Sequence, residues 1–215
     1  MKGLLLKDWY QVRTSMKAMC LTVSFVLVIW VFSTSSAYVF PVSYAAVFLG
    51  ILPVNLLAYD HASGWTEYSF ALPLSKELQV AEKYLVGLLC TAVSAALNGI
   101  FCGILFWMGK PLPAMPIGLL LGAGAASILL INGIMLPLYY RFGAEKARML
   151  YMLMFAGMGA ALGGGAVMDE LQQNGTGSGP LPVPLWLAAV LLLAVLALYA
   201  VSWRVSVAWY GKYKK

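Results

Sequence analysis

The sequence predicts an all-α membrane protein: six transmembrane helices, an N-terminal interfacial amphipathic helix, and a short cytoplasmic helix between spans two and three. The first observation is composition. Of 215 residues, 62% are hydrophobic and 10% charged, and the mean hydropathy is +0.84. A soluble domain is about 45–50% apolar and about 25% charged. A soluble fold of this size has nowhere to hide the excess, so lipid must be the solvent. The second observation is a series of uncharged gaps, each long enough to cross a bilayer. The third is a charge asymmetry: thirteen of the fourteen Lys and Arg residues fall on one side of the topology that those gaps define.

A helix needs about 20 apolar residues to span the hydrocarbon core. Forty-two uncharged residues separate Lys17 from Asp60, twenty-six separate Lys83 from Lys110, and thirty separate Lys110 from Arg141. Twenty more lie between Arg148 and Asp169, and thirty-three between Glu170 and Arg204. The first gap is broken by Ser33-Thr34-Ser35-Ser36 and Pro41, so it holds two spans. The last opens with a Gly/Pro-rich run and holds one span after Pro184. The predicted spans are 19–35, 40–59, 84–108, 117–138, 149–168 and 185–203, all within a single domain, 1–215. An even number of crossings puts both ends on one side. Only Lys110 faces the other way, so the positive-inside rule places both termini in the cytoplasm. The longest outer loop, 169–184, reads as an irregular or re-entrant cap because of its Gly and Pro content.

Residues 1–18 precede the first crossing. Leu5, Trp9, Val12 and Met16 share one helical face, with Lys7, Gln11 and Thr14 roughly opposite. This predicts a helix lying in the cytoplasmic interface of the lipid bilayer, with Trp9 at headgroup level.

Several functions are excluded or disfavoured by what is missing. No Asp, Glu, Lys, Arg or His falls in the middle of a predicted span. Proton-coupled carriers usually keep such groups despite a cost of about 2.5–3.5 kcal/mol. The polar residues inside the spans are Asn55, Asn98 and Asn132. They serve as interhelical glue or line a substrate path. One histidine rules out HExxH, and the nearest approach to a phosphate loop, Gly103 to Gly109-Lys110, has the wrong length and Pro111 in place of Ser/Thr. Cys20, Cys90 and Cys102 sit in apolar stretches and match no metal spacing. The +6 net charge is spread over helix ends, which fits membrane orientation and not nucleic acid.

The inner loop 60–83 is too amphipathic for a plain linker. Ser63 or Gly64 can start a short helix, Pro73 ends it, and Ser75 with Glu77 starts another that runs into span three. Trp65, Tyr68 and Leu72 form an aromatic and apolar stripe on the short helix. Such a stripe packs under the membrane or docks in a partner's groove.

Two segments carry a family resemblance. Met1-Lys2-Gly3-Leu4-Leu5-Leu6-Lys7-Asp8 is one. The other runs from Asp60 through Gly64-Trp65-Thr66-Glu67-Tyr68 to Leu72-Pro73-Leu74-Ser75, ending in Val80, Lys83 and Tyr84. Both resemble small bacterial ABC-transporter permeases of the type-2 exporter class, most closely the branch that exports phenol-soluble modulins. The resemblance implies a non-catalytic permease domain in the bacterial plasma membrane. It implies that the loop after span two carries a coupling helix seated in a separate ABC ATPase, which holds the ATP and Mg. The contact residues would be Asp60, Gly64, Trp65, Glu67, Tyr68, Leu72 and Pro73. It also implies a second permease copy or a similar chain, as a homodimer or heterodimer. No cofactor is expected in this chain. An ATP-independent six-helix channel or facilitative carrier is the main competing expectation. A membrane-embedded enzyme on lipid or isoprenoid substrates is a weaker one, since the inner acidic residues are scattered.

Overall fold

A computed structural model describes residues 2–15, 17–32, 39–71, 75–109, 117–172 and 185–210. Seven helices account for nearly all of them: α1 (Lys2–Ser15), α2 (Lys17–Phe32), α3 (Val39–Ala62), α4 (Trp65–Ala71), α5 (Lys76–Trp107), α6 (Ile117–Gln172) and α7 (Leu185–Tyr210). Four are long and apolar enough to cross a membrane: Tyr44–Ala62, Lys76–Trp107, Ile117–Gly143 and Val190–Tyr210. They correspond to the predicted spans two, three, four and six. The first predicted span begins in α2, described for 16 residues. The fifth lies in α6 beyond Gly143, where most side chains fall outside the described residues.

Local chemistry sets the helix ends around the inner loop. Gly64 adopts φ +71, a left-handed value that costs glycine little, and lets the chain turn from α3 into α4. Ser75 is extended and its hydroxyl accepts the Leu78 amide at 3.3 Å, capping α5 with Glu77 in the first turn. At about 1.5 Å per residue, the 32 residues of α5 outrun a hydrocarbon core of about 30 Å. Its charged start, Lys76 to Lys83, therefore extends beyond the apolar stretch from Tyr84 onward.

The predicted loop between spans four and five is absent. Helix runs on both sides of a one-residue break at Gly143, where φ is 80 and ψ is 175. That backbone region is essentially closed to side chains other than glycine.

The helices pack in three apolar clusters. One joins Leu57, Val80, Leu129, Leu136, Val195 and five tyrosines between α3, α5, α6 and α7. The second gathers Val23, Leu27, Phe101, Leu105 and Leu120 between α2, α5 and α6. The third, Leu49, Leu52, Leu56, Val86 and Cys90, receives Leu5 and Val12 of α1. Large apolar side chains such as Phe106, Trp107, Leu193 and Leu198 face outward, as a lipid-facing surface requires.

Lipid tails are as apolar as Leu, so close packing and hydrogen bonds must hold such helices together. Tyr84 supplies the centre of that bonding. Its Oη lies 2.7 Å from both Ser202 Oγ and Ser206 Oγ, and Tyr199 donates to its carbonyl at 2.8 Å. Ser202 in turn donates to the Gly133 carbonyl, and Tyr139 donates to that of Leu57 at 2.9 Å. Gly87 makes room for this ladder: a Cβ there would meet Tyr199 Oη at 2.5 Å. Gly87→Ala should lower stability by about 1 kcal/mol, because displacing the phenol outweighs the helix propensity gained. In a Tyr199→Phe background the same change should become neutral or stabilising. Thermal unfolding of the four proteins in detergent checks both signs.

Candidate functional site

The described helices converge on a group of buried charges at the end of the bundle where α5 starts. Leu4, Leu5, Asp8 and Val12 of α1 turn toward the bundle, and Asp8 is only 2% exposed. Asp60 comes from the last turns of α3, and Glu82 with Lys83 from the second turn of α5. Lys83 Nζ lies 2.8 Å from an oxygen of Asp8 and 2.8 Å from one of Asp60. Lys7 Nζ reaches both Asp60 oxygens at 2.8 Å and an Asp8 oxygen at 3.1 Å. It also sits 4.7 Å above the Trp65 ring, which ties α1 to α4.

Two cations thus meet three carboxylates. Lys83 is held charged, its pKa above the usual lysine value, because Asp8, Glu82 and Asp60 together outweigh the opposing effect of burial. Glu82 is the unbalanced member. Burial, aided by the Asp8 carboxylate and opposed by Lys83 and Lys7, raises its pKa to about 7. Its Oε1 is buried without a hydrogen-bond partner, and Lys83 Nζ is 3.7 Å away. Glu82 lines a cavity of about 50 Å³ with Asp60, Trp65, Lys83, Tyr140 and Tyr210, among others. Among the described residues, no group of three or more His, Cys, Asp or Glu is arranged to hold a metal.

The short helix α4 is fastened at its far end as well. Ser69 donates to Gln79 Oε1 at 3.3 Å, and Gln79 Nε2 donates back to the Ser69 carbonyl at 3.2 Å. Tyr210 of α7 donates to the same Gln79 oxygen. Displacing α4 therefore loads α1, α5 and α7 together.

The predicted contact residues divide. Asp60 is buried in the ion cluster. Gly64 makes the turn and is exposed. Trp65 is half-buried over Lys7 and packs on Tyr68 with ring centroids 5.5 Å apart. Tyr68 is 57% exposed and presents the free face of α4. The Glu67 side chain, Leu72 and Pro73 lie outside the described residues, as does Met16. On α1, Leu5 and Val12 face the core while Trp9 points out. Lys7, expected on the opposite, solvent-facing side, points into the cluster. Asn98 and Asn132 are buried within the subunit, where Asn132 donates to the Ile128 carbonyl and Asn98 to Ser94 Oγ. Asn55 is half-buried.

Lys7, Asp8, Glu82 and Lys83 were not legible as a cluster. One signal pointed to it: Asp8 is the only acidic residue before Asp60, on an otherwise basic helix.

A model described as ABC-2 family transporter protein matches residues 3–211, so the chain belongs to that family. Its members are generally the non-catalytic transmembrane components of ABC transporters and work with an ABC ATPase. No curated protein and no solved structure matches the chain.

Removing one partner of a buried ion pair strands the other and costs about 3–5 kcal/mol. Lys83→Met should therefore destabilise the protein by that order. Adding Asp8→Asn and Asp60→Asn should recover much of the loss, because the two carboxylates that faced Lys83 are then neutral. Thermal unfolding in detergent reads the difference.

Proposed function

We propose that this ABC-2 family chain is the permease subunit of an ATP-driven exporter in a bacterial plasma membrane, with both termini in the cytoplasm. It moves an amphipathic or hydrophobic substrate, such as an amphipathic peptide, out of the cell. ATP and Mg act on a separate ATPase subunit. Two permease chains, identical or similar, form the pathway between them. The observation that carries this reading is α4. It is a short helix beside the buried charges, with Tyr68 exposed on its surface, Trp65 under Lys7 of α1 and Ser69 bonded to Gln79 of α5.

That arrangement suits a coupling helix. Closure of an ATP-bound ATPase pair would displace α4. The Trp65–Lys7 contact and the Asp60–Lys83 pair would carry the displacement into α1 and α5 without loss to local flexing. The ATPase can bias the permease only by its differential contact with two states. Tyr68 is the exposed aromatic available for such contact, and buried aromatic anchors dominate most interfaces.

Co-purification tests the assignment. The tagged chain should bring down an ATPase encoded nearby. Tyr68→Ala should weaken that pairing by about 30-fold, the effect of losing about 2 kcal/mol at an anchor. Trp65→Ala with Tyr68→Ala should abolish it, with the spans still folded. Undiminished pairing in the double variant would remove α4 as the docking element. Absence of any ATPase partner would favour the ATP-independent channel or carrier.

A further inference from the structure

Glu82 is the buried charged group for which the transport reading has no use. It sits on α5, 4% exposed, facing a cavity too small for a cargo. A cavity of this size holds water but little else. The groups around it come from every neighbouring helix. Lys7 and Asp8 face it from α1, Asp60 and His61 from α3, and Gln79 and Lys83 from its own helix. Trp65, Thr66 and Ser69 of α4 close one wall; Tyr139 and Tyr140 of α6 and Tyr210 of α7 close another.

With all five charges present, the cluster carries one uncompensated negative charge. Protonating Glu82 makes it neutral. Glu82 Oε1 is buried with no hydrogen-bond partner, and Asp8 of α1 flanks the same Lys83 ammonium. A proton on Glu82 therefore removes a like charge from the contact between α1 and α5. Helix α1 also supplies Leu4 as a cavity wall, which narrows the access of water to Glu82. Of the α1 charges, Asp8 acts on Glu82 more strongly than Lys7 does. Seating α1 therefore penalises ionised Glu82 twice, by desolvation and by like charge.

We propose that Glu82 is a proton-binding site that sets how firmly α1 is seated. With the proton on, the cluster is neutral and α1 is held against α3 and α5. With the proton off, a buried negative charge faces Asp8 and α1 loosens. A rise in cytoplasmic pH would then release the N-terminal helix.

The direction follows from linkage. An acid whose pKa is higher when α1 is seated stabilises the seated state fully below its unseated value, near 4.5, and loses that contribution as pH rises through about 7. Between pH 6 and pH 8.5 those two values correspond to a loss of about tenfold in the seating equilibrium.

Hydrogen exchange of the full chain in lipid nanodiscs, corrected for intrinsic rates, tests this without an ATPase or a cargo. Its outcome is thus separate from the transporter reading. Protection of residues 2–15 should fall about tenfold from pH 6 to pH 8.5, with α5 and α7 unchanged. In Glu82→Gln, a permanent stand-in for the protonated side chain, protection should not vary with pH. A flat wild-type profile, or a Gln variant that follows the wild type, overturns the proposal. So does recovery of protection at pH 8.5 on adding sodium or potassium, which would make the cavity a metal-cation site. Infrared spectroscopy of the wild type gives a second check that does not depend on the variant folding. A protonated carboxyl band should vanish with a midpoint near pH 7, and its absence at pH 6 overturns the assignment.

Discussion

The ammonium of Lys83, buried between Asp8 and Asp60, is the contact on which the charged end of the bundle depends. Taking an ion out of water costs several kcal/mol, recovered only when partners are close and well aligned. Here the partners come from α1 and α3, residues 75 and 23 positions away in the chain. Satisfying one lysine therefore fixes the placement of three helices. The pairs need not add much net stability to do this. Their effect is specificity, since any other seating of α1 would leave charges stranded.

The membrane half is held by different means, because lipid withholds the hydrophobic drive between helices. Tyr84 bonds to two serines of α7 and receives the Tyr199 phenol on its own carbonyl. Directly before it in sequence stands Lys83. Adjacent residues thus anchor the two halves, one by ions at the water-facing end and one by hydroxyls in the bundle. The start of α5 is thereby bonded to α7, and through Ser202 to α6. The family match supplies the partner's class, and α4 with Tyr68 outward is the surface proposed to meet it.

What the sequence determined is governed by local chemistry and by solvent. Apolar content demanded lipid. Ser75, Gly64 and the stripe of Trp65 and Tyr68 marked a short helix between two longer ones, and α4 runs from Trp65 to Ala71. Caps and turns act within a few residues, so such signals survive without tertiary context. The same holds for the four long apolar helices, whose existence follows from length and hydropathy.

The tertiary structure decided which charges are used up. Lys7 and Lys83 read as exposed markers of the cytoplasmic side, yet Lys83 is 2% exposed and both are paired. It also chose the face of α1 that packs inward, set by Asp8 reaching Lys83 and not by the Leu5–Trp9 stripe. It replaced an expected loop with a single-glycine break at Gly143. These outcomes rest on contacts between residues tens of positions apart. A charge count records the sign and place of each residue along the chain. Whether a charge meets water or a counter-ion depends on what the folded helices bring beside it.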